Sequence, residues 1–176
     1  TTGGSEALLF TCLSILDPYT EVIIPEPYYP NYTTFVHAAG GVIRALPTNP
    51  WEGYRYADRE RIESLITPNT RAILITNPGN PTGVVLDETE MRMIADIAKK
   101  HNLFLICDEV YREFCYDDKF GVPTMARFRD IDENLVIVDS VSKRFSACGA
   151  RIGCMISRNK ELMAQENAIL SENTAL

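Results

Sequence analysis

Residues 103–111 read Leu-Phe-Leu-Ile-Cys-Asp-Glu-Val-Tyr, an apolar run followed at once by two acids. A short run that is apolar at every position is typical of a strand covered by helices on both faces of a parallel sheet. Two more runs, at residues 72–76 and 135–139, begin with four consecutive apolar residues. These three segments predict the central strands of the fold.

The remaining elements alternate around these runs. Further strands are predicted at residues 21–24, 42–46 and 154–157. Segments of helical period are predicted as helices at 5–16, 30–39, 59–66, 87–100 and 160–172. Alternation of this kind predicts an α/β fold, three layers with a mostly parallel sheet and right-handed crossovers. No repeat or linker interrupts the chain, so we expect residues 1–176 to form one domain.

The clearest helix is the segment 87–100. Asp87 can cap its first turn, and Glu90 follows three residues later, as in a capping box. Lys99 and Lys100 complement the negative end of the helix dipole.

Composition narrows the possible functions. The net charge of -7 argues against a nucleic-acid partner, and no apolar run approaches the roughly 20 residues that a membrane span needs. Five cysteines without Cys-x-x-Cys spacing, and only two histidines, predict no metal site. The odd cysteine count, partly within apolar runs, and the absence of a secretory signal favour a reduced, cytoplasmic protein. A start at Thr1, not Met, suggests a fragment.

Four segments that follow apolar strands are rich in residues with special chemistry. They are residues 26–30, 77–83, 108–111 and 140–143. In an open α/β sheet, ligands bind at the carboxyl ends of the strands. If these strands are parallel, all four segments meet at one crevice.

Lys143 and Asp108 suggest the chemistry of that crevice. A lysine amine can form a Schiff base with an aldehyde, although a lone lysine at a strand end is more often simply solvated. A carboxylate at Asp108 could pair with a protonated ring nitrogen and keep it electron-poor, or it could cap the next helix. Tyr111 could point into the crevice or lie on the surface.

Other residues could bind an anion or a flat ring. Gly4 and Ser5 open the helix 5–16, where backbone N–H groups favour a phosphate, although two glycines equally make a turn. Arg151 could grip a phosphate in bidentate fashion or form a surface ion pair. Tyr29 could stack on a ring or pack in the core, and Asn80 lies in a loop rich in proline and glycine, where it could simply form a turn.

Taken in order, these motifs resemble the class I/II aminotransferases, which have the fold-type-I architecture of pyridoxal-phosphate enzymes. The six motifs are Gly-Gly-Ser at 3–5, Pro-Tyr-Tyr-Pro at 27–30, Asn-Pro-Gly-Asn-Pro-Thr-Gly at 77–83, Asp-Glu-Val-Tyr at 108–111, Ser-x-Ser-Lys at 140–143 and Gly-x-Arg-Ile-Gly at 149–153. The resemblance covers essentially the whole chain. One departure is Ala150, where the family often has a large residue before the arginine.

The resemblance implies a role for each motif residue. The phosphate of pyridoxal 5'-phosphate would bind at Gly4, Ser5, Ser140, Ser142 and Arg151. Tyr29 would stack on the pyridine ring, Asn80 and Tyr111 would contact the ring hydroxyl, and Asp108 would pair with the ring nitrogen. Lys143 would form the internal aldimine and then move the proton between the α-carbon of the amino acid and the C4′ carbon of the cofactor.

The resemblance also implies an activity and an assembly. We expect an aminotransferase that moves an amino group between an L-amino acid, with aspartate as a candidate, and a 2-oxo acid. A carbon–sulfur lyase, a decarboxylase, or a cofactor-sensing regulatory domain remain alternatives. Family members are roughly twice as long, with an N-terminal arm and a smaller C-terminal domain, and they act as homodimers. On that basis residues 1–176 are expected to be a large-domain fragment, inactive by itself.

Overall fold

The computed structural model describes residues 1–116 and 123–174, with side chains described as far as residue 171. Within these residues, six strands form one sheet in the order β2-β1-β3-β4-β5-β6. Their bounds are β1 Glu21–Pro25, β2 Val42–Leu46, β3 Thr70–Thr76, β4 Phe104–Asp108, β5 Leu135–Ser140 and β6 Gly153–Ser157. The first five strands are mutually parallel, and β6 pairs with β5 in the antiparallel direction. The predicted mostly parallel sheet is confirmed.

Helices cover both faces of the sheet, as predicted. Their bounds are α1 Gly3–Ile15, α2 Asn31–Ala38, α3 Arg59–Ser64, α4 Glu88–Lys100, α5 Val141–Arg144 and α6 Lys160–Thr174. One buried apolar cluster joins α1, α2 and α6 to one face, and a second joins α3 and α4 to the other. Successive strand residues point to opposite faces, so Ile106 belongs to the α1 side and Cys107 to the α4 side.

The start and the buried face of α4 follow directly from its sequence. Asp87 accepts a hydrogen bond from the Glu90 backbone N–H at 2.8 Å, and Glu90 accepts one from the Asp87 backbone N–H at 2.9 Å. This reciprocal pair is the predicted capping box. Met91, Ile94 and Ala98 on one face of the helix are buried against the sheet.

One helix boundary was predicted incorrectly, and one short helix was not predicted. The first helix begins at Gly3, two residues earlier than expected, because both glycines enter its first turn. The segment after β5, for which no helix was predicted, forms the short helix α5 and carries Lys143. Within the part of the chain that the structure describes, no helix is both long and apolar enough to span a bilayer.

Candidate active site

A cavity of about 180 Å³ lies where the parallel strands β3, β4 and β5 end and α1 begins. All ten residues singled out from the sequence line it: Gly4, Ser5, Tyr29, Asn80, Asp108, Tyr111, Ser140, Ser142, Lys143 and Arg151. They come from segments spread over nearly 150 residues of sequence and meet because parallel strands end at the same edge. The expected crevice is therefore present.

Five more residues line the same cavity and were not singled out from the sequence. They are Leu8, Tyr32, Thr76, Val110 and Cys148. Tyr32 follows Tyr29 by three residues at the start of a predicted helix, so helical spacing could have drawn attention to it. For the other four no sequence signal distinguishes a cavity wall from ordinary packing.

Asp108 is the buried acid of the cavity. It is the last residue of β4 and is 5% exposed. Its Oδ2 accepts a hydrogen bond from the Tyr32 hydroxyl at 2.7 Å, and its Oδ1 accepts one from the Val110 backbone N–H at 3.2 Å. Burial raises the pKa of Asp108 to about 6, and these two hydrogen bonds oppose the rise. The alternative role as a helix cap is wrong, because the next helical turn begins only at Arg112 and its N-cap is Tyr111.

The adjacent acid, Glu109, points to the opposite side of the sheet. It is 1% exposed and accepts hydrogen bonds from the Met125 backbone N–H at 2.8 Å and from Arg112 Nη1 at 3.3 Å. Burial raises the pKa of this carboxyl as well. Glu109 therefore ties the segment after β4 to the short 3-10 helix Met125–Arg127.

Lys143 lies on the third position of α5, at the rim of the cavity. Ser140 caps this helix, since its Oγ accepts the Ser142 backbone N–H at 3.2 Å. The Lys143 Nζ lies 5.9 Å from the centre of the Tyr111 ring. The lysine side chain is exposed and can reach into the cavity that it lines.

A network of charges fixes the base of α5 behind Lys143. Asp139 accepts hydrogen bonds from Arg112 Nη2 at 3.0 Å and from Arg144 Nη2 at 2.8 Å. Because Asp139 is only 8% exposed, water and salt screen these ion pairs less than they screen surface pairs. They join β5, α5 and the turn after β4 into one support.

The start of α1 and Arg151 form a positive end of the cavity. The N–H groups of the first helical turn have no partner inside the helix and carry the positive end of its dipole. Arg151 donates from Nη1 to the Cys148 carbonyl at 3.0 Å and from Nη2 to the Thr2 carbonyl at 3.3 Å. With the hydroxyls of Ser140 and Ser142 nearby, this end suits a phosphate.

Two glycines allow this close packing. Gly3 has φ +77°, and a Cβ there would overlap the Arg151 guanidinium. A Cβ on Gly153 would overlap the backbone of Gly3 and Gly4, so the glycine lets β6 approach the start of α1. Side chains at either position would displace the arginine or the helix.

Tyr29 packs edge-to-face on Tyr32, with ring centres 5.6 Å apart, and Tyr111 packs likewise on Phe114 at 5.8 Å. Asn80 lies in the loop after β3 and lines the same cavity. The cavity thus combines an amine, a carboxylate, aromatic rings and a positive end.

Comparison with known proteins identifies the family of this chain. The family model described as aminotransferase class I and II matches residues 1–174. This chain belongs to the aminotransferase class I and II family.

Individual members of the family show the same likeness. A probable aspartate/prephenate aminotransferase of Thermus aquaticus is 40% identical over 154 residues, covering 87% of this chain and 39% of the relative. A probable N-succinyldiaminopimelate aminotransferase of Mycobacterium tuberculosis is 37% identical, covering 87% of this chain and 38% of that protein. The structure of an aspartate aminotransferase from Thermotoga maritima superposes with a TM-score of 0.91 at 32% identity, covering 99% of this chain and 45% of that one. The chain therefore spans about two fifths of the length of these aminotransferases.

Proposed function

We propose that this chain is the cofactor-binding large domain of a pyridoxal-phosphate-dependent aminotransferase. The observation that carries the proposal is that ten motif residues from separate segments line one cavity. Family membership supports the reaction class. The complete protein would move an amino group between an L-amino acid and a 2-oxo acid.

The cavity fits pyridoxal 5'-phosphate by its set of donors and acceptors. Its positive end, formed by Gly4, Ser5 and Arg151, suits the phosphate, with the Ser140 and Ser142 hydroxyls as further donors. In the sheet order, this end lies beside β5 and β6, while the acid stands at the end of β4. An anionic group and a basic ring nitrogen on one small molecule match that layout.

The aromatic and amide residues would hold the ring itself. Tyr29 would stack on its face, and Asn80 with Tyr111 would hydrogen-bond its hydroxyl oxygen. When bound, pyridoxal phosphate supplies an electron sink for the negative charge that forms at the α-carbon of an amino acid.

Asp108 and Lys143 would carry out the proton chemistry. Ionised Asp108 would hold a proton on the ring nitrogen by charge pairing. Lys143 would anchor the cofactor through its Nζ and, with its amine free, would remove the proton from the substrate α-carbon. Because the pKa of Asp108 is about 6, the carboxyl is mainly ionised at neutral pH and becomes protonated as the pH falls through about 6.

Aspartate is the amino acid that we propose to test first. The relatives from Thermus aquaticus and Thermotoga maritima are both named for aspartate. We also propose that the complete protein is a cytoplasmic homodimer, as the family resemblance implies.

The proposal is tested by following the nitrogen atom. The natural protein, with whatever sequence flanks residues 1–176, is mixed with pyridoxal phosphate, ¹⁵N-labelled L-aspartate and 2-oxoglutarate. We expect ¹⁵N-glutamate in the mass spectrum, and none from the Lys143→Ala variant. Release of labelled ammonia or loss of the carboxyl carbon as CO₂, without labelled glutamate, would instead indicate a lyase or a decarboxylase.

A further inference from the structure

A chain of buried hydroxyl groups lies behind the carboxylate of Asp108. The Tyr32 hydroxyl is 2.7 Å from Asp108 Oδ2 and 2.6 Å from Thr76 Oγ1. Tyr32 is 1% exposed and Asp108 is 5% exposed, so bulk water does not compete for these bonds. The three residues belong to α2, β3 and β4, and only the tertiary fold brings them together.

The donor in each of these hydrogen bonds follows from the number of protons that each group carries. An ionised carboxylate can only accept, so Tyr32 must donate its one hydroxyl proton to Asp108. Thr76 must then donate its own proton to the Tyr32 oxygen. In such a chain each hydrogen bond polarises the next one, which strengthens the bond that ends on Asp108.

We propose that Tyr32 is a positioning residue for Asp108 and that Thr76 supports it through the hydroxyl chain. This inference rests on the proposed function, in which Asp108 pairs with a ring nitrogen. Tyr32 holds Oδ2, and the Val110 backbone N–H holds Oδ1 at 3.2 Å. Each carboxylate oxygen can accept a second hydrogen bond, so Asp108 stays oriented and keeps capacity for a donor in the cavity.

The electrostatic surroundings explain why the hydroxyl is needed. Burial and the charge of Asp139 on β5 both favour the protonated form of Asp108, whereas the bonds from Tyr32 and Val110 favour the ionised form. Lys143 lines the same cavity from α5. Tyr32 thus offsets part of the burial cost and keeps the carboxylate charged at neutral pH.

The substitution Tyr32→Phe removes the hydroxyl and keeps the ring. Tyr28→Phe is the matched control, because the Tyr28 ring stacks on Tyr32 at 6.3 Å while its hydroxyl lies 3.4 Å from Thr33 Oγ1, away from Asp108. In the 176-residue chain without cofactor, ¹³C NMR of the Asp108 carboxyl reports its titration.

We expect the pKa of Asp108 to rise by about one unit in Tyr32→Phe, roughly a tenfold gain in proton affinity, because a hydrogen bond to a charged group is lost. Tyr28→Phe should titrate like the unsubstituted chain. If Asp108 titrates identically in Tyr32→Phe and the unsubstituted chain, the proposal is overturned.

A second readout links Tyr32 to the cofactor. The dissociation constant of pyridoxal phosphate is measured against pH in the natural protein, with whatever sequence flanks residues 1–176, for each variant. The pH below which affinity falls should move upward in Tyr32→Phe by the same amount as the carboxyl pKa, and should not move in Tyr28→Phe. If the unsubstituted natural protein binds no pyridoxal phosphate, the proposed function fails, and the carboxyl titration still decides the role of Tyr32.

Thr76→Val provides an independent variant should Tyr32→Phe fail to fold. It removes the donor to Tyr32 and preserves the shape of the side chain, whereas Thr76→Ser keeps the hydroxyl. We expect a smaller upward shift of the Asp108 pKa in Thr76→Val and recovery in Thr76→Ser. An unchanged or lowered pKa in a folded Thr76→Val chain would contradict the hydroxyl chain.

Discussion

Asp108 and Glu109 are adjacent and both are buried, yet their carboxylates have different partners. Asp108 faces the α1 side and accepts hydrogen bonds from two neutral donors, the Tyr32 hydroxyl and the Val110 N–H. Glu109 faces the α4 side and is paired with the Arg112 guanidinium. A carboxylate that holds the fold together is paired with a cation inside the fold, whereas one facing a cavity retains its charge for a ligand.

The largest expected effect separates these two acids by function. Asp108→Asn removes the charge that would hold the proton on the ring nitrogen, so amino-group transfer from aspartate should slow by about a hundredfold or more. The rate is measured with ¹⁵N-aspartate as above, at saturating pyridoxal phosphate. An unchanged rate would remove Asp108 from the mechanism.

The pH dependence of stability provides the next test of the same acid. The folded-state pKa of Asp108 is raised from 3.8 to about 6, so the folded chain binds this proton more tightly than the unfolded chain does. Its contribution to stability is therefore present below pH about 4 and is lost as the pH rises to about 6. Relative to Asp108→Asn, the unsubstituted chain should lose up to about 3 kcal/mol across that window.

This difference is measured by urea unfolding of both chains at several pH values. Comparison with Asp108→Asn cancels the contribution of other groups, including Glu109, whose pKa is also raised. Parallel stability curves for the two chains between pH 4 and 7 would contradict a raised pKa of Asp108 in the folded chain.

Glu109→Gln should lower the stability of the fold and leave the affinity for pyridoxal phosphate nearly unchanged. Loss of the charge weakens the bonds to Arg112 and to the Met125 N–H, which should lower the free energy of unfolding by about 1–3 kcal/mol. Affinity for pyridoxal phosphate should change by less than about twofold, since a neutral side chain on the far face leaves the cavity in place. A large loss of affinity in a stable Glu109→Gln chain would show that the two faces are coupled.

The smallest expected effect concerns the glycine beneath Arg151. Gly3→Ala would push the guanidinium away and strain a residue with φ +77°, so affinity for pyridoxal phosphate should fall by about tenfold. Titration calorimetry measures this affinity. Gly149→Ala is the control beside the same arginine, since nothing lies within 4 Å of the added carbon.

Gly53→Ala separates the effect of backbone strain from the effect of displacing Arg151. Gly53 has φ +64° and open space around it, so this variant reproduces the backbone strain without touching Arg151. It should lose stability and keep its affinity. Equal affinity losses in Gly3→Ala and Gly53→Ala would attribute the effect to backbone strain alone.

Much of the fold could be predicted because its signals are local. Fully apolar runs placed the central strands within two residues of their observed starts, and Asp87 with Glu90 marked the start of α4. The antiparallel direction of β6 could not be predicted, because hydrophobic pattern carries no information on strand direction. The short helix α5 was missed for a related reason, since four residues are too few to show a period.

The candidate site was likewise predictable only in part. Nine of its ten predicted residues end or follow a strand or open a helix, so the rule for parallel sheets predicts that they meet. Arg151 instead precedes the antiparallel strand β6. Tyr32 and Thr76 were missed because their importance lies in one contact across 44 residues of sequence. The packing of Gly3 beneath Arg151 depends on an approach of two backbones that no local pattern encodes.

The most direct test of the central claim is covalent capture of the cofactor. The chain is incubated with pyridoxal phosphate, reduced with borohydride, digested and mapped by mass spectrometry. We predict a label on Lys143, an unlabelled Lys143→Ala chain, and normal labelling of the control Lys100→Ala. Lys100 ends α4, pairs with Glu63 of α3 and does not line the cavity. A label that persists in Lys143→Ala, or that falls mainly on another lysine, would contradict the account.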